Sequence, residues 1–168
     1  MVSSEETVRA VDDVVRECLA LAGIAAPPVD PVEVADALGL VTQRDAALPG
    51  RGERRTVGGQ GVILIRPEER DERECFAIAH EIGEDIAAGR IINRLGLDEG
   101  ITRWREELAN LFAARLLCPA EWLRECLCEQ GDDLRVLKEE FAPASHEVLA
   151  RQLLGLAIPT IITVIDNG

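Results

Sequence analysis

The sequence predicts an α+β fold, mostly helical with a small β-sheet. Several stretches carry apolar residues at helical spacing and end at Gly or Pro. One short run, Val62-Ile63-Leu64-Ile65, is dense in β-branched residues and is bounded by turn-forming residues. Hydrophobic residues make up 47% of the chain but aromatics only 3%, so the core must be built from Leu, Val, Ile and Ala. A chain of 168 residues is long enough for one such core, and residues 1–168 are expected to form a single domain.

The elements follow in order. Residues 5–22 form an amphipathic helix with Val8, Val11, Val15, Leu19 and Leu21 as its apolar set, ended by Gly23. Asp30 is suited to cap a second helix over 31–38, with Pro31 in the first turn and Gly39 after the end. Leu40-Val41-Thr42 is a candidate strand, and the Gly- and Arg-rich residues 49–61 form a loop or hairpin before the 62–65 strand. Helices are expected over 69–88 and 102–117, then from Pro119 to just before Gly131, and over 132–141 and 146–154. A β-branched strand is expected over 158–165. Asp166-Asn167-Gly168 is turn chemistry with no strand after it, which favours a chain cut from something longer after residue 168.

The net charge of −13 argues against nucleic-acid binding, which needs clustered Lys and Arg, and disfavours an anionic membrane surface. It serves solubility, and nothing in the sequence identifies a basic partner. The N-terminus is acidic and lacks the apolar segment of a signal peptide, and no run approaches the ~20 apolar residues of a membrane span. The cysteine count is five, an odd number. Together these features predict a cytoplasmic protein with free thiols. Cys126 and Cys128 sit about 200° apart on a helix, so they are structural rather than co-ligands of one ion.

Chemistry concentrates in Phe76-Ala77-Ile78-Ala79-His80-Glu81-Ile82-Gly83-Glu84. On a helix, His80 and Glu84 lie one turn apart on the same side, away from the centre of the apolar face, and Glu81 points elsewhere. This is the arrangement of the H-E-x-x-H helix, in which two His hold zinc and the Glu acts as general base. Here the second ligand position is Glu84, and a carboxylate also ligates zinc. Alone, H-E-x-x-E is a weak signal, since a His and some Glu on a helix are usually a solvated face. The 102–117 helix is apolar almost all round and is therefore expected to be buried. Glu106 lies on its stripe with Asn110, Ala113 and Leu117. A carboxylate there needs a partner: either a metal, or simply the helix N-terminus.

Several motifs taken together resemble the ImmA/IrrE family of metallo-endopeptidases. They are Pro28-Val29-Asp30, Val34-Ala35 and Leu38-Gly39-Leu40; then Arg73, Phe76-Ala77, Ala79-His80-Glu81-Ile82-Gly83; then Glu106, Ala109-Asn110, Phe112-Ala113-Ala114, Leu116-Leu117 and Pro119. Phe141, Ala144-Ser145, Arg151 and Leu153 echo the family's closing segment, so the likeness spans roughly residues 8–156. The resemblance implies a zincin-like fold and Zn²⁺ held by His80, Glu106 and the residue at position 84. It also implies Glu81 as general base, and a cytoplasmic protein that cleaves or otherwise inactivates a helix-turn-helix transcriptional repressor, in transcription regulation and stress response.

Glu84 departs from that pattern. Two carboxylates cancel the charge of a divalent ion, weaken it as a Lewis acid and shift preference toward harder ions such as Mn²⁺. A slower enzyme, another metal and no metal all stay open. The chain contains no Tyr, so His146 is the candidate oxyanion donor, the alternative being a surface His beside the capping Ser145. Arg115 and Arg151 are weaker candidates. The first functional expectation is a metal-dependent endopeptidase. The second is a degenerate, non-catalytic domain that binds a regulatory partner, and a third is another metal-dependent hydrolase on the same scaffold.

Overall fold

The structure, a computed structural model, describes residues 4–96, 102–156 and 161. Its order of elements is α1 (Ser4–Ala22), α2 (Pro31–Ala37), β1 (Leu40–Arg44), β2 (Gly52–Val57), β3 (Gln60–Ile65), α3 (Asp71–Ile82), a π-helical turn (Gly83–Ala87), α4 (Ala88–Arg94), α5 (Thr102–Leu117), α6 (Ala120–Gln130), α7 (Leu134–Glu140) and α8 (His146–Gly155). The fold is mostly helical α+β, as the periodicity and the single strong β-branched run predict. The expected 158–165 strand lies outside the described residues, apart from Ile161.

α1 buries Ala10, Val11, Val14, Val15, Cys18 and Leu19. Leu21, placed on the apolar set by sequence spacing, is instead 58% exposed. The buried stripe passes through Val14 and Cys18 and ends at Leu19, because the chain reverses at Gly23 (φ +72°), where Ile24 N–H donates to the Leu19 carbonyl. Asp30 caps α2 by accepting from the Val32 N–H at 2.8 Å, and Pro31 occupies the first turn.

The sheet has the order β1-β3-β2. β3 is central, parallel to β1 and antiparallel to β2, and it buries Val62, Ile63 and Ile65. The Gly- and Arg-rich segment forms the β2–β3 hairpin, turned by Gly58 and Gly59 at positive φ (59° and 86°), the conformation that two-residue hairpin turns require. β2 is thereby an edge strand, and it packs against α3.

The single helix expected over 69–88 is interrupted. α3 stops at Ile82, a π turn covers Gly83–Ala87, and α4 continues to Arg94. The interruption begins at Gly83, where the segment lies close against α5. A Cβ placed on Gly83 would lie 3.0 Å from the Cα and carbonyl oxygen of Ala109 and 3.0 Å from the Phe112 ring.

α5 is the central helix, packing on α1, α3, the π turn, α4 and α8. Leu108, Ala109, Phe112, Ala113, Leu116 and Leu117 are all buried, as its nearly all-round apolar surface predicts. Glu106 and Asn110 remain on its open side. α7 and α8 are capped by Asp133 and Ser145, whose side chains accept from the Arg135 and Val148 N–H groups. Cys126 is buried and Cys128 exposed, and all five thiols are free. Among the described residues, no helix is long and apolar enough to cross a membrane.

The crossing yields a paired prediction. Gly83→Ala adds a methyl group 3.0 Å from backbone and ring atoms that would have to give way, and should cost about 1–2 kcal/mol in urea unfolding. Gly89→Ala on α4 meets nothing within 4 Å and should be neutral or stabilising by up to ~1 kcal/mol.

Candidate metal centre

Three elements bring their side chains together. His80 lies in the last turn of α3, Glu84 is the second residue of the π turn, and Glu106 is in the early part of α5. One ligand atom from each lies within 4.8 Å of the others. His80 Nε2 is 3.5 Å from Glu106 Oε2. His80 is largely enclosed, with its side chain 17% exposed, whereas that of Glu106 is 65% exposed. The group therefore opens to solvent on its carboxylate side.

The π turn is held from both flanks. Arg105 of α5 donates to the carbonyl oxygen of Glu84 at 2.8 Å. Arg54 of β2 pairs with Asp85 at 2.8 Å. π turns leave carbonyl groups outside the regular helical ladder, and here a guanidinium meets one of them. Both arginines act on the segment that carries Glu84.

Glu81 stands beside the group, with only 8% of its surface exposed. It lies against Gly52 at the start of β2, where a Cβ would come within 2.7 Å of Glu81 Oε1. A side chain at this position would force the carboxylate to move. Burial pushes the Glu81 carboxyl above its ordinary value; His80 opposes the shift, and Glu84, Glu106 and Glu53 add to it.

The donor chemistry fits a divalent cation. An imidazole nitrogen and two carboxylates are the ligand types of zinc and of harder ions. One ligand atom from each of the three lies within 4.8 Å of the others, close enough to share one ion. Among the described residues this is the one grouping of three or more His, Cys, Asp or Glu that could hold a metal.

His146 opens α8 and is exposed; it is not a member of the three-residue group. Arg115 is buried and faces α1, where its Nε lies 3.4 Å from Asp12 Oδ1. Arg151 pairs with Glu147 one turn away on α8. Neither arginine is directed to the His80 group in the way the sequence left open. Sequence reasoning gave no role to Asn110, whose amide touches both His80 and Glu106. Its position four residues after Glu106 on the same stripe was the available signal. Gly52, Arg54 and Arg105 carried no such signal, because their roles depend on how β2 and α5 meet the π turn.

The fold is similar to that of a solved Mycobacterium tuberculosis transcriptional regulator, with a TM-score of 0.62 and 22% sequence identity. The match covers 89% of this chain and 48% of that one, so this chain spans about half of that protein's length. Among curated proteins the sequence finds no match. Residues 35–153 match the Peptidase M78 family, described as the IrrE N-terminal-like domain. That span takes in α3, the π turn and α5 with all four candidate residues around His80, and the chain belongs to this family.

Proposed function

We propose that this chain is a metal-dependent endopeptidase that cleaves a regulatory protein, with His80, Glu84 and Glu106 as ligands and Glu81 as general base. The observation that carries the reading is the convergence of three ligand atoms within 4.8 Å, with a buried carboxylate beside them that is not needed as a ligand. A divalent cation bound there supplies Lewis acidity and lowers the pKa of a water molecule. Glu81 accepts the proton of the attacking water and returns it to the leaving amine. Zn²⁺ is the first candidate ion, and Mn²⁺ or another divalent cation the second. The proposed substrate, a helix-turn-helix transcriptional repressor, and a cytoplasmic location rest on the family resemblance. His146 keeps its proposed role as oxyanion donor only if substrate binding brings it to the scissile bond.

Glu84 favours a second reading, a peptidase-like domain that binds its partner without cutting it. With Glu106 it neutralises a divalent ion's charge and leaves a weaker electrophile.

Elemental analysis of protein purified without chelator separates the two. The peptidase reading predicts close to one divalent ion per chain, and the binding reading predicts none, with partner capture intact. Glu81→Gln should keep the ion and lower the cleavage rate by about 10²–10⁴-fold in a single-turnover assay. Glu84→His should keep the ion and tighten zinc binding, as measured by competition with a chromophoric chelator.

The Glu81 carboxyl also makes a stability prediction. Its folded pKa is raised, so its contribution is fully present below the unfolded pKa and is lost as pH rises through the folded value. Metal-free Glu81→Gln should therefore melt higher than metal-free wild type at pH 7.5, and the gap should close on acidification. A variant that is less stable at neutral pH would contradict the placement of this carboxylate.

A further inference from the structure

Asn110 sits on α5 one turn beyond Glu106, and its amide bridges two of the proposed ligands. Nδ2 donates to Glu106 Oε1 at 3.1 Å. Oδ1 lies 3.2 Å from His80 Nδ1. With Glu106 ionised and the His80 ring neutral, the chemistry of these groups leaves one consistent assignment. An ionised carboxylate only accepts hydrogen bonds, so the NH₂ of Asn110 must face Glu106. The amide oxygen, also an acceptor, then faces His80, and Nδ1 must carry the proton. A neutral imidazole protonated on Nδ1 has its free lone pair on Nε2. Nε2 is the atom 3.5 Å from Glu106 Oε2. In that form two acceptor atoms face each other, and a proton or a metal cation between them satisfies both.

We propose that Asn110 is a positioning residue that sets the tautomer of His80 and the orientation of Glu106, so that both turn a lone pair toward one divalent cation. This rests on the metal-centre reading given above. The partners of metal-ligating histidines act in this manner, through the ring nitrogen that does not bind the metal. The amide is suited to the task here because it accepts on one side and donates on the other. An aspartate could accept from Nδ1–H, but it would oppose Glu106 and add a negative charge beside Glu84.

The chain has two histidines, so a long-range ¹H–¹⁵N spectrum contains two imidazoles, and exposed His146 is an internal control. The spectra are recorded on metal-free protein at a pH of about 8.5, above the ordinary imidazole range. Wild-type His80 should be the Nδ1–H tautomer. Asn110→Leu should return it to Nε2–H, the form that prevails for a free side chain, and leave His146 unchanged. Asn110→Asp should retain Nδ1–H. In parallel, Zn²⁺ competition with a chromophoric chelator should show about 10–100-fold weaker binding in Asn110→Leu, with the metal-free melting temperature unchanged. An Nε2–H tautomer in wild type, an unaltered tautomer in Asn110→Leu, or unaltered zinc affinity in that variant would each overturn the proposal. A wild type that binds no Zn²⁺ would sink the metal-centre reading and this role with it. The metal-free spectra would still report separately whether the amide fixes the ring.

Discussion

The crossing of α3 and its π turn over α5 is the constraint on which the rest of the structure depends. At Gly83 the two backbones meet with no side chain between them, against Ala109 and Phe112. His80 and Glu84 lie just to either side of that point on one segment. Glu106 lies three residues before Ala109 on the other. A larger residue at 83 would move the segments apart and carry the ligand atoms out of mutual reach. The buried aliphatic surface of α5 fixes its depth in the fold, and the glycine fixes the approach.

Electrostatics gives this geometry its chemistry. Glu81, Glu84 and Glu106 surround a single imidazole, and Glu53 is close enough to influence Glu81. Such a grouping is unfavourable by itself, since each carboxylate raises the cost of ionising the next. Arginines answer the charge around the rim, with Arg54 on Asp85 and Arg105 on the Glu84 carbonyl. These contacts hold the π turn without entering the group; on the proposed reading a cation balances the charge at its centre. The second carboxylate, at Glu84, makes that balance more complete than one imidazole more would, at the expense of Lewis acidity.

Much of this was legible in the sequence. The apolar surround of α5 announced a buried helix, and Asp30 with Pro31 marked the start of α2. Spacing placed His80 and Glu84 one turn apart and Glu106 on a stripe with Asn110, but it was the family resemblance that joined the three as candidate ligands. The π turn was not legible, because residues 83–87 carry no helix-breaking residue beyond Gly83, and the departure from α geometry arises at a tertiary contact. Leu21 was misplaced because it keeps the helical spacing of the buried stripe, and spacing alone cannot show that burial stops at Leu19. The role of Gly52 was hidden for a similar reason. Within a Gly- and Arg-rich segment it looks like turn chemistry, and its importance appears only when β2 is laid over Glu81.

X-ray absorption at the metal edge of the loaded protein tests the central claim most directly. The account predicts a first shell of nitrogen and oxygen with the scattering signature of one imidazole per ion, lost in His80→Ala and kept in His146→Ala. A shell without imidazole, or one that loses its imidazole only when His146 is replaced, would contradict it.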